Sequence, residues 1–564
     1  MFTRARASAS LLLAALGLAA CARPPAFDLV IENGSVVDGT GAEPRDADVG
    51  IKGGRITAVG DLSGAGASRR IDATGKVVAP GFIDMLGQSE MTILVNPHLP
   101  SKIFQGITTE ITGEGGSIAP LNDRIIEADK VGWEHYGITP DWRTLDGYFA
   151  RLEKQGMGIN LATYVGATQV RRVVLGDDDV QPTPSQLDSM KALVDRAMRE
   201  GAVGVSTSLQ YAPAPYATTE ELVALASVAG KYGGVYATHM RSEGDAVLDA
   251  VDEAIRIGRE AHVPVEIWHI KAAGVHNWGR MSEIVARIDS ARAAGEDVTA
   301  DTYAYTAWFN SLSAFVPPWA HDGGDAKLVE RLQDPATRAR IKKDMQTPSS
   351  DWDNEWQEIP GPDAVLVSVV QNPDLRPLQG KTLAQIAEMQ GKAPIDALLD
   401  ILVEDKAYSS GAVFGMSQED VSLALSQPWV MVDNDSQGTA PTGPLGREHP
   451  HPRAYGTFPR ILRKYVREDS LLTLPEAIHK FSAMPAKKMN LRDRGTLEAG
   501  NWADVVVFDP DSVRDLATFE EPNQLSVGMD WVFVNGVPVI ADGEATDSLP
   551  GKVLRGPGYQ GPEM

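Results

Sequence analysis

Four side chains that could bind a metal and move a proton follow apolar runs of the sequence. His239 ends the run YATH, and His269 follows VEIW in VEIWHIKAAG. Glu114 lies in a glycine-rich turn after GITTEIT, and Asp435 comes shortly after WVMV. Two imidazoles and one carboxylate leave the fourth position of a tetrahedral zinc ion open for water, as in catalytic zinc sites. Asp435 could take a proton from the attacking water and return it to a leaving amine.

Each assignment has a competing interpretation. Asp433 lies two residues before Asp435 and could act as acid and base instead, and either could be a structural aspartate at a barrel rim. Glu114 could cap the next segment or face solvent. A single histidine more often fills a core or surface position, but two histidines at equivalent places on consecutive predicted strands favour a pair of metal ligands. We interpret His449 and His451, which flank prolines in one loop, as loop supports.

Cationic and phenolic side chains lie near the same predicted strand ends. Lys271 belongs to VEIWHIKAAG, and Arg453 to the loop HPHPRAYGTFPR. Positive charge beside a metal site suggests a substrate with a carboxylate end. Tyr303, Tyr305 and Tyr211 could donate hydrogen bonds to that carboxylate or to a developing oxyanion, although each alone could be a packing residue.

The middle of the chain predicts an α/β fold built from βα units, because apolar runs alternate there with helical stretches. Helices are clear at 219–232 and 245–261. Eight such units close most economically into a (β/α)8 TIM barrel, whose catalytic groups lie at the C-terminal ends of the strands. The predicted strands are 78–85, 108–113, 161–166, 204–207, 235–239, 265–271, 297–303 and 429–433.

Both ends of the chain have a different texture, in which short apolar runs alternate with Gly, Asn and Asp turns. This pattern is typical of short antiparallel strands. We predict a small β-sandwich domain formed by both termini, residues 22–77 and 486–564, beside a barrel at 78–485. Between the seventh and eighth strands, residues from about 307 to 427 are too many for one βα connection and predict an inserted subdomain.

The N-terminus predicts a lipoprotein signal peptide over residues 1–21. Arg4 and Arg6 precede an apolar run at 11–20, which is too short to span a bilayer as a mature helix. The run ends in LAAC, which resembles the bacterial lipobox with Cys21 as the lipidated residue; an ordinary signal with a chance cysteine is the alternative. We therefore expect an exported, periplasmic or cell-envelope lipoprotein that contacts the membrane surface only through its N-terminal lipid anchor.

Composition narrows the class of protein further. A chain of 564 residues with 43% hydrophobic residues can bury a large core and carry an appendage. A net charge of -24 and the absence of a long Lys/Arg run argue against a nucleic-acid partner, since phosphate binding needs clustered positive charge. Cys21 is the only cysteine, so an intramolecular disulfide and a thiolate metal cage are both excluded.

An ordered set of strings resembles the N-acyl-D-amino-acid deacylase (D-aminoacylase) branch of the metal-dependent amidohydrolase superfamily. The strings are GITTEITGEGGSIAP, GVSTSLQYAPAPYATTEEL, YATHMRSEG, VEIWHIKAAG, HPHPRAYGTFPR and DRGTLEAGNWADVVVFDPD. The resemblance implies a zinc-dependent hydrolase that splits an N-acyl amide into a carboxylic acid and an amino acid. It also implies His239 and His269 as ligands of the tightly bound metal, Asp435 as the acid and base, and Lys271 and Arg453 beside the substrate carboxylate.

Three departures from that family are visible. Its first barrel strand ends Asp-x-His-x-His, but here the histidine positions hold Leu86 and Gln88, which predicts that the second, weaker metal site is not formed. The family's cysteine ligand after the second strand is absent, and Glu114 is the nearest substitute. Ala167 stands where the family usually has a histidine that could bind the substrate carbonyl oxygen.

We predict a mononuclear amidohydrolase with one Zn²⁺ per chain on Glu114, His239 and His269, acting on an N-acyl amino acid or a short peptide. A dipeptidase or peptide-processing enzyme on the same scaffold is one alternative, and a non-catalytic binding lipoprotein is another. Retention of His239, His269, Asp435 and Lys271 together argues against loss of catalysis.

Overall fold

The fold is known from a computed structural model that describes residues 26–349 and 351–561. The predicted signal peptide and Cys21 lie outside these described residues. Within them, every helix is too short or too polar to cross a membrane.

Parallel strands alternate with helices through the middle of the chain, as predicted. In the described residues they form one sheet of three strands and one of six, each in chain order. The two sheets adjoin at both edges, because Gly87 bridges Ser436 and the Val203 N–H donates to the Thr163 carbonyl at 3.0 Å. The strands are Phe82–Asp84, Ile107–Thr112 and Asn160–Thr163, then Val165–Gly166, Gly204–Ser208, Val235–His239, Val265–Ile267, Val298–Thr302 and Val430–Val432.

Helices follow the parallel strands and begin where the sequence supplies capping side chains. Thr183 and Thr218 each accept a backbone N–H three residues on, which satisfies a donor in the first turn. The α-helices are Thr92–Val95, Pro100–Ile103, Asp123–Ala128, Lys130–Tyr136, Leu145–Gln155, Ala167–Val174, Pro184–Glu200, Thr219–Gly230, Val247–Ala261, Met281–Ala293, Asp325–Gln333, Pro335–Met345, Glu355–Glu358, Leu383–Gln390, Pro394–Glu404, Gln418–Ser426, Arg453–Arg460, Leu474–Phe481 and Ala483–Lys488, and a π-helix spans Ile461–Glu468.

The two ends of the chain pair in one mixed sheet, which has nine strands in the part of the chain described. Val505–Phe508 runs antiparallel to Val77–Pro80 and so joins the C-terminal strands to the N-terminal ones. The sheet has an apolar core of its own, which includes Trp531 and Phe533. The strands are Phe27–Val36, Arg45–Lys52, Arg55–Gly60, Ala67–Asp72, Val77–Pro80, Val505–Phe508, Met529–Val534, Val537–Ala541 and Glu544–Ala545.

The predicted first barrel strand, 78–85, is wrong as a single element, because its residues belong to two different sheets. Val77–Pro80 belongs to the terminal sheet and Phe82–Asp84 to the parallel one. Gly81 lies between them and donates its N–H to the Asp504 carbonyl at 2.8 Å. A Cβ at Gly81 would lie 2.2 Å from the Thr108 hydroxyl oxygen, so only glycine fits at this crossing.

The long connection after Val298–Thr302 contains its own antiparallel sheet, which we call the insert sheet. Among the described residues its strands lie in the spatial order Trp308–Ser311, Ser410–Val413, Val365–Val369 and Lys381–Thr382. The helix Gln418–Ser426, inside the predicted insert boundary, instead packs against Met281–Ala293 in the layer of βα helices. The insert therefore ends earlier than the sequence pattern indicates.

A buried lysine ties the first parallel strand to the loop that carries Asp435. Lys102 Nζ lies 2.7 Å from Asp84 Oδ2 and donates to the Ser436 carbonyl at 2.7 Å. Asp84 Oδ1 accepts the Asn434 N–H at 2.8 Å. Both chain neighbours of Asp435 are thus fixed by this ion pair, which has no exposed surface.

Replacing Lys102 by methionine should destabilise the fold. It would leave Asp84 and Glu110, whose Oε1 lies 3.6 Å from the ammonium, buried without a cation. Breaking a buried pair in this way costs about 3–5 kcal/mol. Chemical denaturation measures the free energy of unfolding, with Lys327→Met as the control, because its pair with Glu330 is exposed and contributes at most about 1 kcal/mol. A loss no larger than the control's would contradict this role.

Candidate metal centre

The three predicted metal ligands converge on one point. His239 Nδ1 lies 3.1 Å from His269 Nε2 and 3.3 Å from Glu114 Oε1, and the latter two atoms are 3.7 Å apart. Ligands of a tetrahedral zinc ion at about 2.0–2.1 Å lie about 3.3 Å from one another, so the spacing fits a zinc ion. Among residues 26–349 and 351–561, this is the group of three that meets the geometric requirement for a metal site.

The backbone is strained at two residues whose side chains point into the site, a predicted metal ligand and the predicted acid and base. His269 has φ 36° and Asp435 has φ 44°, in the left-handed region that residues other than glycine rarely adopt. Such residues cost about 1–3 kcal/mol each and are concentrated at functional sites. The predicted strand 265–271 ends at Ile267, and the turn that follows directs His269 while its N–H donates to Asp301.

Glycines on both sides of Glu114 set the direction of its side chain. Gly113 and Gly115 have φ 100° and 57°, which a side chain would make unfavourable. The Gly115 N–H donates to the Ser206 hydroxyl at 3.1 Å, and a Cβ there would lie 2.6 Å from Ser208. This close approach to the neighbouring strand turns the carboxylate towards the two histidines.

The remaining nitrogen of each histidine faces an acceptor. His239 Nε2 lies 2.8 Å from Gln210 Oε1, and His269 Nδ1 lies 2.9 Å from Glu243 Oε1. Metal-binding imidazoles commonly donate this second N–H to such a group, which fixes the tautomer. Lys271 Nζ lies 2.7 Å from the same Glu243 oxygen and 2.8 Å from His269 Nδ1, so Glu243 is the acceptor that both donors share.

A carboxylate of the insert orients the Gln210 amide. Gln210 Nε2 donates to Glu355 Oε1 at 3.1 Å, and Trp308 Nε1 donates to Glu355 Oε2 at 3.4 Å. Asn310 Nδ2 also donates to Oε1. Burial raises the pKa of Glu355 to about 8, although the hydrogen bonds from Asn310 and Trp308 oppose the rise. With its nitrogen directed to Glu355, the Gln210 amide must present its oxygen to His239.

The carboxylate of Asp435 is held at both oxygens. Gln88 Nε2 donates to Oδ1 at 3.1 Å, and Arg453 Nη1 lies 2.7 Å from Oδ2. Gln88 Nε2 also donates to Glu114 Oε2 at 2.7 Å. Burial raises the pKa of Asp435 above its ordinary value, although Arg453 and His269 act to lower it. A raised pKa suits a group that must accept and return a proton near neutral pH.

The charges around the ligand atoms favour a cation between them. Burial opposes ionisation of Glu114, but hydrogen bonds and charge from His239 and His269 hold its pKa well below its ordinary value. Burial and Lys271 lower the pKa of His269, but nearby carboxylates, among them Asp435, raise it to about 10. The ligand set therefore attracts positive charge, which a divalent metal supplies.

A cavity of about 240 Å³ opens onto these atoms. The insert strand Trp308–Ser311 contributes four consecutive residues to its wall, so the insert covers the ends of the parallel strands. The other lining residues are Gln88, Glu114, Tyr211, His239, Glu243, His269, Lys271, Ser410 and Asp435.

Of the predicted substrate-binding residues, Lys271 lines this cavity, whereas Tyr303, Tyr305 and Arg453 lie outside its lining. Arg453 is buried, with its guanidinium 4.6 Å from the centre of the Tyr303 ring. The Tyr303 hydroxyl lies 3.6 Å from the Met416 sulfur, and the Tyr305 hydroxyl donates to a backbone carbonyl at 3.4 Å. Arg453 therefore lies against Asp435 and not in the cavity lining.

The competing candidates occupy other places. Asp433 is fully buried, lies outside the cavity lining, and has its pKa raised well above the ordinary value by burial and by Asp435. His449 Nε2 lies 2.6 Å from the Phe519 carbonyl, and His451 Nε2 lies 3.1 Å from the Ala307 carbonyl. These contacts fit the interpretation of both histidines as loop supports.

Sequence reasoning missed the groups that hold the ligands, namely Glu243, Gln210 and Glu355. One signal was available, because Glu243 lies four residues after His239 in the string YATHMRSEG. Gln210 and Glu355 reach the site from a loop and from the insert, and no periodic pattern marks either of them.

Comparison with known proteins assigns the family. Residues 69–540 match the sequence model of the Amidohydrolase family. The chain belongs to this family. The amidohydrolase is 36% identical over 532 residues to N-acyl-D-glutamate deacylase of Alcaligenes xylosoxydans xylosoxydans, covering 94% of this chain and 96% of the relative.

Solved structures agree with this assignment. The amidohydrolase is similar to the crystal structure of N-acyl-D-glutamate deacylase from Bordetella bronchiseptica, solved with zinc and a phosphonate that mimics the tetrahedral intermediate. The TM-score is 0.78 at 34% identity, covering 94% of this chain and 99% of that one. A D-aminoacylase structure described by its binuclear metal center, with "one-metal activation and second-metal attenuation", gives 0.77 at 35% identity, covering 94% and 100%.

The predicted resemblance to D-aminoacylases is confirmed by these matches. The amidohydrolase is a metal-dependent amide hydrolase, and the cluster of Glu114, His239 and His269 has the donor set and spacing that a metal requires.

Proposed function

We propose that this amidohydrolase hydrolyses N-acyl-D-amino acids to a carboxylate and a D-amino acid, with one zinc ion on Glu114, His239 and His269. The observation that carries the proposal is the triangle of ligand atoms, 3.1–3.7 Å on each side, with Asp435 joined to one corner through Gln88. The substrate class is supported by relatives named for N-acyl-D-glutamate and D-amino acids. They give no support to the dipeptidase or to the non-catalytic lipoprotein.

The proposed chemistry divides between the metal and the side chains. When bound, zinc supplies Lewis acidity, which acidifies water and polarises a carbonyl. Asp435 Oδ1 accepts the proton of the attacking water and later returns it to the leaving nitrogen. Arg453, 2.7 Å from Oδ2, keeps the carboxylate oriented during both transfers. Lys271 places a positive charge on the cavity wall, where a substrate carboxylate would be attracted.

We also propose that the two parallel sheets act as one eight-stranded TIM barrel. The bridge between Gly87 and Ser436 and the bond from Val203 to Thr163 support closure at both junctions, with Asn160–Thr163 and Val165–Gly166 counted as one interrupted strand. This closure brings residues from the second, fifth, sixth and eighth strands to one mouth.

A substrate screen tests the proposed function. Purified enzyme, stripped of metal and then given one equivalent of zinc, should release amino acid from N-acyl-D-amino acids at least tenfold faster than from the L-enantiomers or from dipeptides. Chromatographic quantification of the released amino acid measures each rate. Equal rates on both enantiomers, or a preference for dipeptides, would contradict the substrate class.

A further inference from the structure

The side chain of Gln88 bridges two carboxylates that the proposed mechanism uses for different purposes. Its Nε2 lies 2.7 Å from Glu114 Oε2 and 3.1 Å from Asp435 Oδ1. Since both partners are acceptors, the nitrogen of the amide must face them and not its oxygen. An NH2 group has two hydrogens, so one amide can serve one oxygen of each carboxylate.

The other oxygen of each carboxylate already has a positive partner or a place for one. Glu114 Oε1 faces the two histidine nitrogens at 3.3 and 3.7 Å, and Asp435 Oδ2 faces Arg453. Only 13% and 9% of the two carboxylate side chains are exposed, so water screens their mutual repulsion weakly. A donor between them is therefore needed to hold both in place.

A second cation could do the same work, but not together with this amide. Zinc binds carboxylate oxygens at about 2.0–2.2 Å, and the space between Glu114 Oε2 and Asp435 Oδ1 is taken by the Gln88 nitrogen. Two residues earlier, Leu86 is fully buried in an apolar cluster and offers no lone pair. The first strand therefore supplies a neutral bridge at this position.

We propose that the Gln88 amide replaces a second metal ion, as a positioning residue that holds Asp435 for proton transfer while the site works with one metal. This inference rests on the proposed function for its role in proton transfer. Its structural part, that amide and second cation exclude one another, does not depend on the substrate.

Removal of the amide tests the positioning role. Gln88→Leu should bind one zinc per chain, as the unaltered enzyme does, yet kcat should fall about tenfold to hundredfold because Asp435 is no longer fixed. KM should change less than threefold, since Gln88 holds Asp435 and not the substrate. Gln155→Leu is the matched control, because its amide donates to the Ile93 carbonyl at 2.8 Å, outside the cavity lining. An unchanged kcat in Gln88→Leu would overturn the proposal.

Metal counting tests the replacement itself. Elemental analysis after dialysis against excess zinc should give one equivalent for the unaltered enzyme and a second, weaker one for Gln88→His, whose imidazole could share a metal with Glu114 and Asp435. Two equivalents in the unaltered enzyme, or one in Gln88→His, would overturn it. These counts need no substrate, so absence of N-acyl-D-amino-acid hydrolysis in all variants would refute the proposed function alone.

Discussion

Asp435→Asn should keep its zinc and lose hydrolysis by roughly a hundredfold to ten-thousandfold in kcat. Asparagine has nearly the same shape, and its single amide oxygen can still accept from either Arg453 or Gln88, but it cannot accept a proton from the attacking water. Zinc content by elemental analysis and kcat on an N-acyl-D-amino acid are the two measurements. A misfolded variant would lose both zinc and hydrolysis, so zinc content that is retained while kcat falls indicates the loss of a proton acceptor.

Asp433→Asn is the matched control for this experiment. Asp433 is fully buried, and burial raises its pKa well above the ordinary value, which favours the neutral form that asparagine resembles. We expect kcat within about threefold of the unaltered enzyme. If Asp433→Asn loses as much as Asp435→Asn, or if Asp435→Asn stays fully active, the assignment of acid and base to Asp435 is wrong.

The parallel strands could be predicted from sequence because they are buried on both faces. Such strands are continuous apolar runs, and the predicted ranges 204–207 and 235–239 differ from the observed Gly204–Ser208 and Val235–His239 by at most one residue. The run at 78–85 misled the same reasoning. Its two halves are equally buried, and the sheet to which each belongs depends on Val505–Phe508, more than 400 residues later.

The candidate metal ligands could be predicted from the sequence for a related reason. A side chain that ends a parallel strand must lie at the mouth shared by all the strands, so His239 and Glu114 could be placed without knowing any contact. Gln210 and Glu355 could not, because a hydrogen bond between a loop and the insert leaves no spacing in the sequence. The sequence shows that Gln88 occupies the position of a metal ligand of the family, but its bridging contacts depend on where Asp435 lies.

Glu114 is the corner of the site on which the strongest metal prediction depends. Glu114→Gln should weaken zinc binding by more than the roughly 10–100-fold that loss of a supporting hydrogen bond costs, because a neutral amide is a poor zinc ligand. His269→Ala, which removes an imidazole, should weaken it at least as much. Equilibrium dialysis against buffered zinc measures both affinities. His262→Asn is the control, since His262 is exposed at the end of a helix with φ 56°, a conformation that asparagine tolerates.

The comparison of Glu114→Gln with His269→Ala decides what kind of site this is. If the carboxylate is a ligand, both variants lose zinc at limiting concentration and lose hydrolysis with it. If Glu114→Gln binds zinc like the unaltered enzyme, Glu114 only orients the histidines from 3.3 and 3.7 Å. The metal would then rest on two imidazoles, too few for a catalytic zinc site, and a third ligand would have to come from the substrate.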